Sequence, residues 1–169
     1  EQAHLARDIR ITPIEQQQPN TSAEFSLWQW LDIMAGVAHV TSDLSEAFVP
    51  QMMNLDRIGG VNFKKGCYPG QEIVARSHYL GKLKRRMQRA SLTSEQTPPL
   101  TIGMDVYSST DGSQPAGQLL PFAPNPFITK RWDVLYEVSL PMLEHNAQLT
   151  ICAIDATWTQ QNLPSSLTS

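Results

Sequence analysis

Beyond Met87 the sequence breaks into short alternating runs punctuated by turn residues, and this rhythm limits the fold more than any other feature. Gln88 to Leu92, Asp105 to Ser108, Pro115 to Pro121, Trp132 to Leu140, Ala147 to Ala153 and Thr157 to Leu163 each read as a strand. Asp111-Gly112 and Pro124-Asn125-Pro126 mark turns between them. Six short strands in about eighty residues predict a small barrel or sandwich. Residues 89–169 are therefore expected to form a separate C-terminal β domain, most simply a small antiparallel barrel of about six strands.

The first half reads differently, so the chain as a whole is expected to be α+β. Residues 1–24 are polar, with a short strand expected from Ile9 to Ile14 and a linker from Gln16 to Thr21. From Phe25 to Ala38 the apolar residues Leu27, Trp30, Leu31 and Met34 recur at helical spacing. Ser22 or Ser26 can cap the start of this helix and Gly36 can end it. A more irregular stretch follows through Phe48-Val49-Pro50-Gln51 and Asn54-Leu55, and the double glycine Gly59-Gly60 argues for a bend.

Lys64-Lys65-Gly66-Cys67-Tyr68-Pro69-Gly70-Gln71-Glu72 then places one of only two cysteines in a glycine-bracketed turn. Pro69-Gly70 suits the central positions of a type II turn, so Cys67 is expected on a sharp, reachable bend. Nearby cations favour the thiolate form of a cysteine, the form that attacks and ligates. Lys65 and Arg76 are candidate electrostatic partners for that thiolate or for a bound carboxylate. Gln71 and Glu72 are candidates for binding a cofactor, or equally for fixing the turn by bonding to exposed amides where the next element starts. That element, Gln71 to Tyr79, reads as a short helix ended by Gly81, although Ile73-Val74 also fits a strand. Cys152, with Leu149, Ile151 and Ile154 around it, reads as core packing.

Charge is unevenly distributed. The net charge is only -3, yet nine of the thirteen Lys and Arg residues fall between Arg57 and Arg89, and from Asp56 to Arg89 the only acids are Asp56 and Glu72. That segment sums to +7, and an anionic ligand such as a polyglutamate, a phosphate or an RNA backbone is expected to approach there. The segment lacks the interleaved aromatics of a stacking RNA binder apart from Phe63, Tyr68 and Tyr79, so RNA contact is expected to be secondary. Two cysteines 85 positions apart make neither a disulfide framework nor a zinc site, and a reducing cytoplasm is the expected setting. No run approaches the roughly 20 apolar residues of a membrane span, and the N-terminus carries no basic-then-apolar signal. The chain begins with Glu1 and is expected to be a piece of a longer protein.

The region from Trp28 to Met87 resembles the signature region of the YgfZ family. The residues that carry the resemblance are Asp32-Ile33-Met34-Ala35-Gly36, Phe48-Val49-Pro50-Gln51, Asn54-Leu55, Gly59-Gly60-Val61-Asn62-Phe63, Lys65 to Glu72, Val74-Ala75-Arg76, and Gly81 followed by Lys84-Arg85-Arg86. The resemblance implies the C-terminal half of such a protein: residues 1–88 as the remainder of a folate-binding domain like that of the glycine cleavage T-protein (GcvT-like), then the barrel. It implies that Cys67 is the functional thiol and that Trp28 binds folate, a role for which a flat indole is suited. Read from the helix alone, Trp28 is equally an ordinary core aromatic, and Trp30 is read as core.

By the same resemblance the expected cofactor is tetrahydrofolate or a derivative. The expected role is an accessory one, supporting iron-sulfur enzymes such as tRNA methylthiotransferases, with weak tRNA contact through residues 57–89. No second cysteine lies near Cys67, so an iron-sulfur cluster would be shared with a partner, transiently. The alternative is a folate-dependent aminomethyltransferase of the glycine cleavage T-protein type. Against it, that enzyme lacks the Lys-Gly-Cys-Tyr motif, and its essential acidic residue belongs to a region without counterpart in this sequence.

Overall fold

The computed structural model describes residues 22–81, 83–109, 112–144, 148–151, 154–164 and 167. The expected strand Ile9–Ile14, the linker that follows it, Asp111 and the packing role of Cys152 lie outside the described residues. Helix α1 spans Ser22–Ala35 and α2 spans Gln71–Tyr79. Six strands follow: β1 (Arg85–Thr93), β2 (Asp105–Ser108), β3 (Pro115–Pro124), β4 (Arg131–Ser139), β5 (Leu149–Ile151) and β6 (Thr157–Gln161), with a short α3 (Leu140–Glu144) after β4.

The strands form one antiparallel sheet ordered β5-β2-β3-β4-β1-β6. Its outer members β5 and β6 come together, which curls the sheet into a nearly closed barrel. The α+β class and the six-stranded antiparallel barrel expected from the sequence are both present. β1 starts three residues before the run that announces it and β3 ends three residues after, because Arg85 and Pro124 still pair with β4.

Alternation sorts the strand residues into two cores. Ala90, Leu92, Val106, Leu119, Val134, Tyr136 and Val138 point into the barrel. Met87, Leu120, Ala123 and Leu135 point outward, where Trp30 and Ile33 of α1 cover them together with Leu44 and Met53 of two short 3-10 turns, Ser42–Leu44 and Pro50–Met53. A register shift in β3 between Leu119 and Phe122 lets neighbouring Leu119 and Leu120 serve opposite cores. β4 is consequently buried on both faces from Asp133 to Val138.

The first helix runs three residues ahead of the Phe25–Ala38 expectation. Gly36 adopts φ +70°, and the N–H groups of Gly36 and Val37 donate to the carbonyls of Ile33 and Asp32 at 3.0 and 2.9 Å. This is the left-handed glycine stop of a Schellman motif, so the helix ends at Ala35. Ser26 lies inside the helix and cannot cap it, a correction to the sequence expectation. A Cβ on Gly36 would come within 2.6 Å of Leu167 Cδ1, a second reason for glycine there.

The cysteine turn

The turn before α2 has the predicted geometry. Gly70 adopts φ 81° and ψ -4°, and the Gln71 N–H donates to the Tyr68 carbonyl at 3.2 Å. With Pro69 at the second position, Tyr68 to Gln71 form a type II turn. Gln71 reaches back: its Oε1 accepts the Tyr68 N–H at 3.1 Å, the amide-fixing role expected of it. Gly66 differs from Gly70 in lying outside the left-handed region, while a Cβ at either position would meet nothing within 4 Å. Only one of the two bracketing glycines is required by the backbone.

Cys67 is exposed and lies immediately before this turn, three residues ahead of the Gly70 cap. α2 is anchored from behind by buried Val74, whose carbonyl accepts the side-chain N–H of Gln51 at 2.7 Å. The loop before the cysteine is shaped by Asn62 Oδ1, which accepts the Lys64 N–H at 2.8 Å. It is held to α2 by the Phe63 ring, stacked on His78 with centroids 3.8 Å apart. The exposed thiol thus lies in a strap pinned on both sides.

Among the other candidates, Arg76 donates to Glu72 Oε1 at 2.7 Å, an exposed pair one helical turn apart. Lys65 is exposed. Trp28 is half-buried on α1, which packs on β3 and β4, so it is carried by a different part of the helical layer from Cys67. Trp30 takes the core position expected of it, its indole N–H donating to Asp133 Oδ2 at 2.8 Å. No group of three His, Cys, Asp or Glu among the described residues is placed to hold a metal ion.

Much of the basic segment faces inward, which the charge sum did not reveal. Arg86 donates to Asn54 Oδ1, to the Gln51 carbonyl and to both carboxylate oxygens of Asp56 at 2.9–3.1 Å. Burial works to raise the Asp56 carboxyl, but the hydrogen bonds and charge of Arg86, helped by backbone amides, hold it below its ordinary value. Arg85 donates to buried Glu137 through two nitrogens, and this bonding, outweighing burial, pushes its guanidinium above its ordinary value. Arg89 donates to the Asn162 carbonyl at 2.7 Å, and Arg57 donates to that of Leu167. Lys64, Lys65 and Lys84 remain exposed, as does Arg76 beside its partner Glu72, so the charge offered to a ligand is well below +7. Strand alternation on β1, which turns Arg85 and Arg89 towards the helical layer together with Met87, was the available signal.

Fold and site together define a class: an antiparallel barrel under a helical layer that displays one exposed cysteine on a Pro-Gly turn. No family model matches the chain. The tRNA-modifying protein YgfZ of Photobacterium profundum is 32% identical over 165 residues, which covers 96% of this chain and 48% of that protein. Proteins of the same name from Colwellia psychrerythraea and Vibrio atlanticus are 46% identical over 77 residues and 38% identical over 96 residues, covering 46% and 56% of the chain and 24% and 30% of those proteins. The chain belongs to the YgfZ family. It spans about half the length of the curated relatives it matches. Among the described residues no helix is long and apolar enough to cross a membrane.

Proposed function

We propose that this chain is the cysteine-bearing part of a tRNA-modifying accessory protein, which binds tetrahydrofolate or a derivative and supports iron-sulfur enzymes of the tRNA methylthiotransferase kind. The observation that carries this reading is the presentation of Cys67, exposed immediately before a braced type II turn that leads into α2. A buried structural cysteine needs no such strap. A thiol offered to a macromolecular visitor needs both reach and a fixed direction.

Folate enters the reading through Trp28, half-buried on α1 and adjacent in sequence to the core stripe without belonging to it. An indole is a flat ring of the kind that stacks on a pterin or aminobenzoyl group. A cluster, where one is handled, would take one thiolate from Cys67 and its remaining ligands from the client enzyme.

The test is complementation by the full-length protein carrying Cys67→Ser or Cys67→Ala, with methylthiolated adenosine in tRNA quantified by mass spectrometry. Loss of the modification in both variants is expected, and wild-type levels would remove Cys67 from the function. A tetrahydrofolate titration of the same protein, read by indole fluorescence with and without Trp28→Phe, examines the folate half independently.

A further inference from the structure

Phe63 and His78 lie face to face with their planes 15° apart, and Tyr79 stands edge-on to both, at centroid distances of 6.2 and 4.7 Å. Phe63 is fifteen positions from His78 in sequence. The cysteine strap folds it back along α2, so a cluster invisible to a linear reading gathers on one surface. Tyr79 is 67% exposed and His78 is exposed as well. Rings held together at the surface forgo the gain that burial offers them, which is the usual mark of a binding site.

Charge adds a second observation. Lys64 and Lys65 directly follow Phe63, are exposed, and have no acidic partner among the described residues. The nearby acid Glu72 is held by Arg76. Arg57, Arg85, Arg86 and Arg89 are bonded inward and exposed Arg76 is paired with Glu72, so two of the unpaired cations facing outward adjoin the aromatic cluster.

We infer that Phe63, His78 and Tyr79 form a stacking platform for unpaired RNA bases, with Lys64 and Lys65 holding the adjoining phosphates; this rests on the tRNA-modifying reading and names the contact surface beside Cys67. An acidic peptide would satisfy the lysines and leave the rings idle, and an apolar peptide would do the reverse. A single-stranded nucleotide run uses both, because every base has a π-face and every link carries a charge. A duplex hides its base faces and cannot use the platform.

Binding of full-length protein to a fluorescent RNA stem-loop and to a fully paired RNA duplex of equal length, read by anisotropy, tests this. The stem-loop is expected to bind more tightly. Tyr79→Ala and His78→Ala are expected to weaken it roughly 5- to 100-fold, the worth of one stacked base, while Tyr79→Phe retains affinity. Lys64→Gln with Lys65→Gln should lower the slope of log affinity against log salt by about 1.4, at about 0.7 per phosphate contact. Unaltered circular dichroism is the check that the exposed-site variants still fold.

Equal binding of loop and duplex, unchanged affinity in the aromatic variants, or competition by heparin as effective as by unlabelled stem-loop would overturn the inference. Failure here separates from failure of the proposed function. If Tyr79→Ala binds RNA like wild type while Cys67→Ser abolishes methylthiolation, only the platform falls; RNA binding that depends on Tyr79 with methylthiolation indifferent to Cys67 sinks only the thiol's role.

Discussion

Trp30 donates its indole N–H to the buried carboxylate of Asp133 across 103 positions of sequence, at 2.8 Å. The same carboxylate receives Asn125 Nδ2 at 2.6 Å and the Arg131 guanidinium at 3.0 Å, so one fully buried acid ties α1, the β3–β4 connection and β4 together. A buried carboxylate is tolerable only when its lone pairs are met, and each bond to it counts for more than a neutral one. Trp30→Phe keeps most of the apolar volume and removes one donor. We expect it to cost about 1.5–3 kcal/mol of stability, measured by urea denaturation with an unchanged slope.

A second buried acid rests on a single cation. Glu137 is 1% exposed, and Arg85 supplies its ionic partner from the neighbouring strand. Arg85→Met leaves that carboxylate buried without compensation, which should cost about 3–5 kcal/mol. The double variant Arg85→Met with Glu137→Leu should recover much of the loss, because the unpaired charge goes too. Thermal unfolding of the two variants beside wild type decides this.

These pairs mark the limit of what the sequence made legible. The strands from Gln88 onward, the helix at Gln71–Tyr79 and the Pro-Gly turn were readable because each is governed by local rules: alternation, glycine stereochemistry and turn chemistry. For Arg85 and Arg89 alternation could give the face but not the partner, and for Arg86 it gave neither, because a charge on a strand is committed by whichever partner the tertiary fold brings opposite it. Clustering in sequence therefore suggested a larger outward charge than the surface carries. The same limit hid the Phe63–His78 stack, whose formation depends on the chain between them turning back at Pro69-Gly70. For Trp30 the helical stripe announced burial, while its bonding partner lay beyond any local pattern.

Asp56 gives the fold a predictable acid sensitivity. Its carboxyl is held below its ordinary folded-independent value of roughly 3.9 by Arg86. A group with a depressed folded-state pKa adds stability that is complete above the unfolded value and is lost as pH falls through the folded one. Stability should thus fall as pH drops below about 4, and the fall should be shallower in Asp56→Asn, which is less stable at neutral pH but has no proton to take up there. Denaturation midpoints recorded between neutral and acid pH for both proteins test the sign, and parallel pH profiles would reject it.

The cysteine turn predicts a difference between two glycines that look alike in sequence. Gly70 sits at φ 81°, where a Cβ strains the backbone, although nothing within 4 Å would touch it. Gly70→Ala should cost about 1–2 kcal/mol from that conformation alone, and the turn can relieve the strain only by giving up the Gln71-to-Tyr68 bond that orients Cys67. Gly66 lacks that backbone constraint and its surroundings are equally open, so Gly66→Ala should be nearly silent in stability. The thiol reports the same contrast: iodoacetamide labelling at Cys67, quantified on its own tryptic peptide, should change in rate for Gly70→Ala and match wild type for Gly66→Ala. Equal behaviour of the two variants would mean that the type II geometry does not govern how the sulfur is presented.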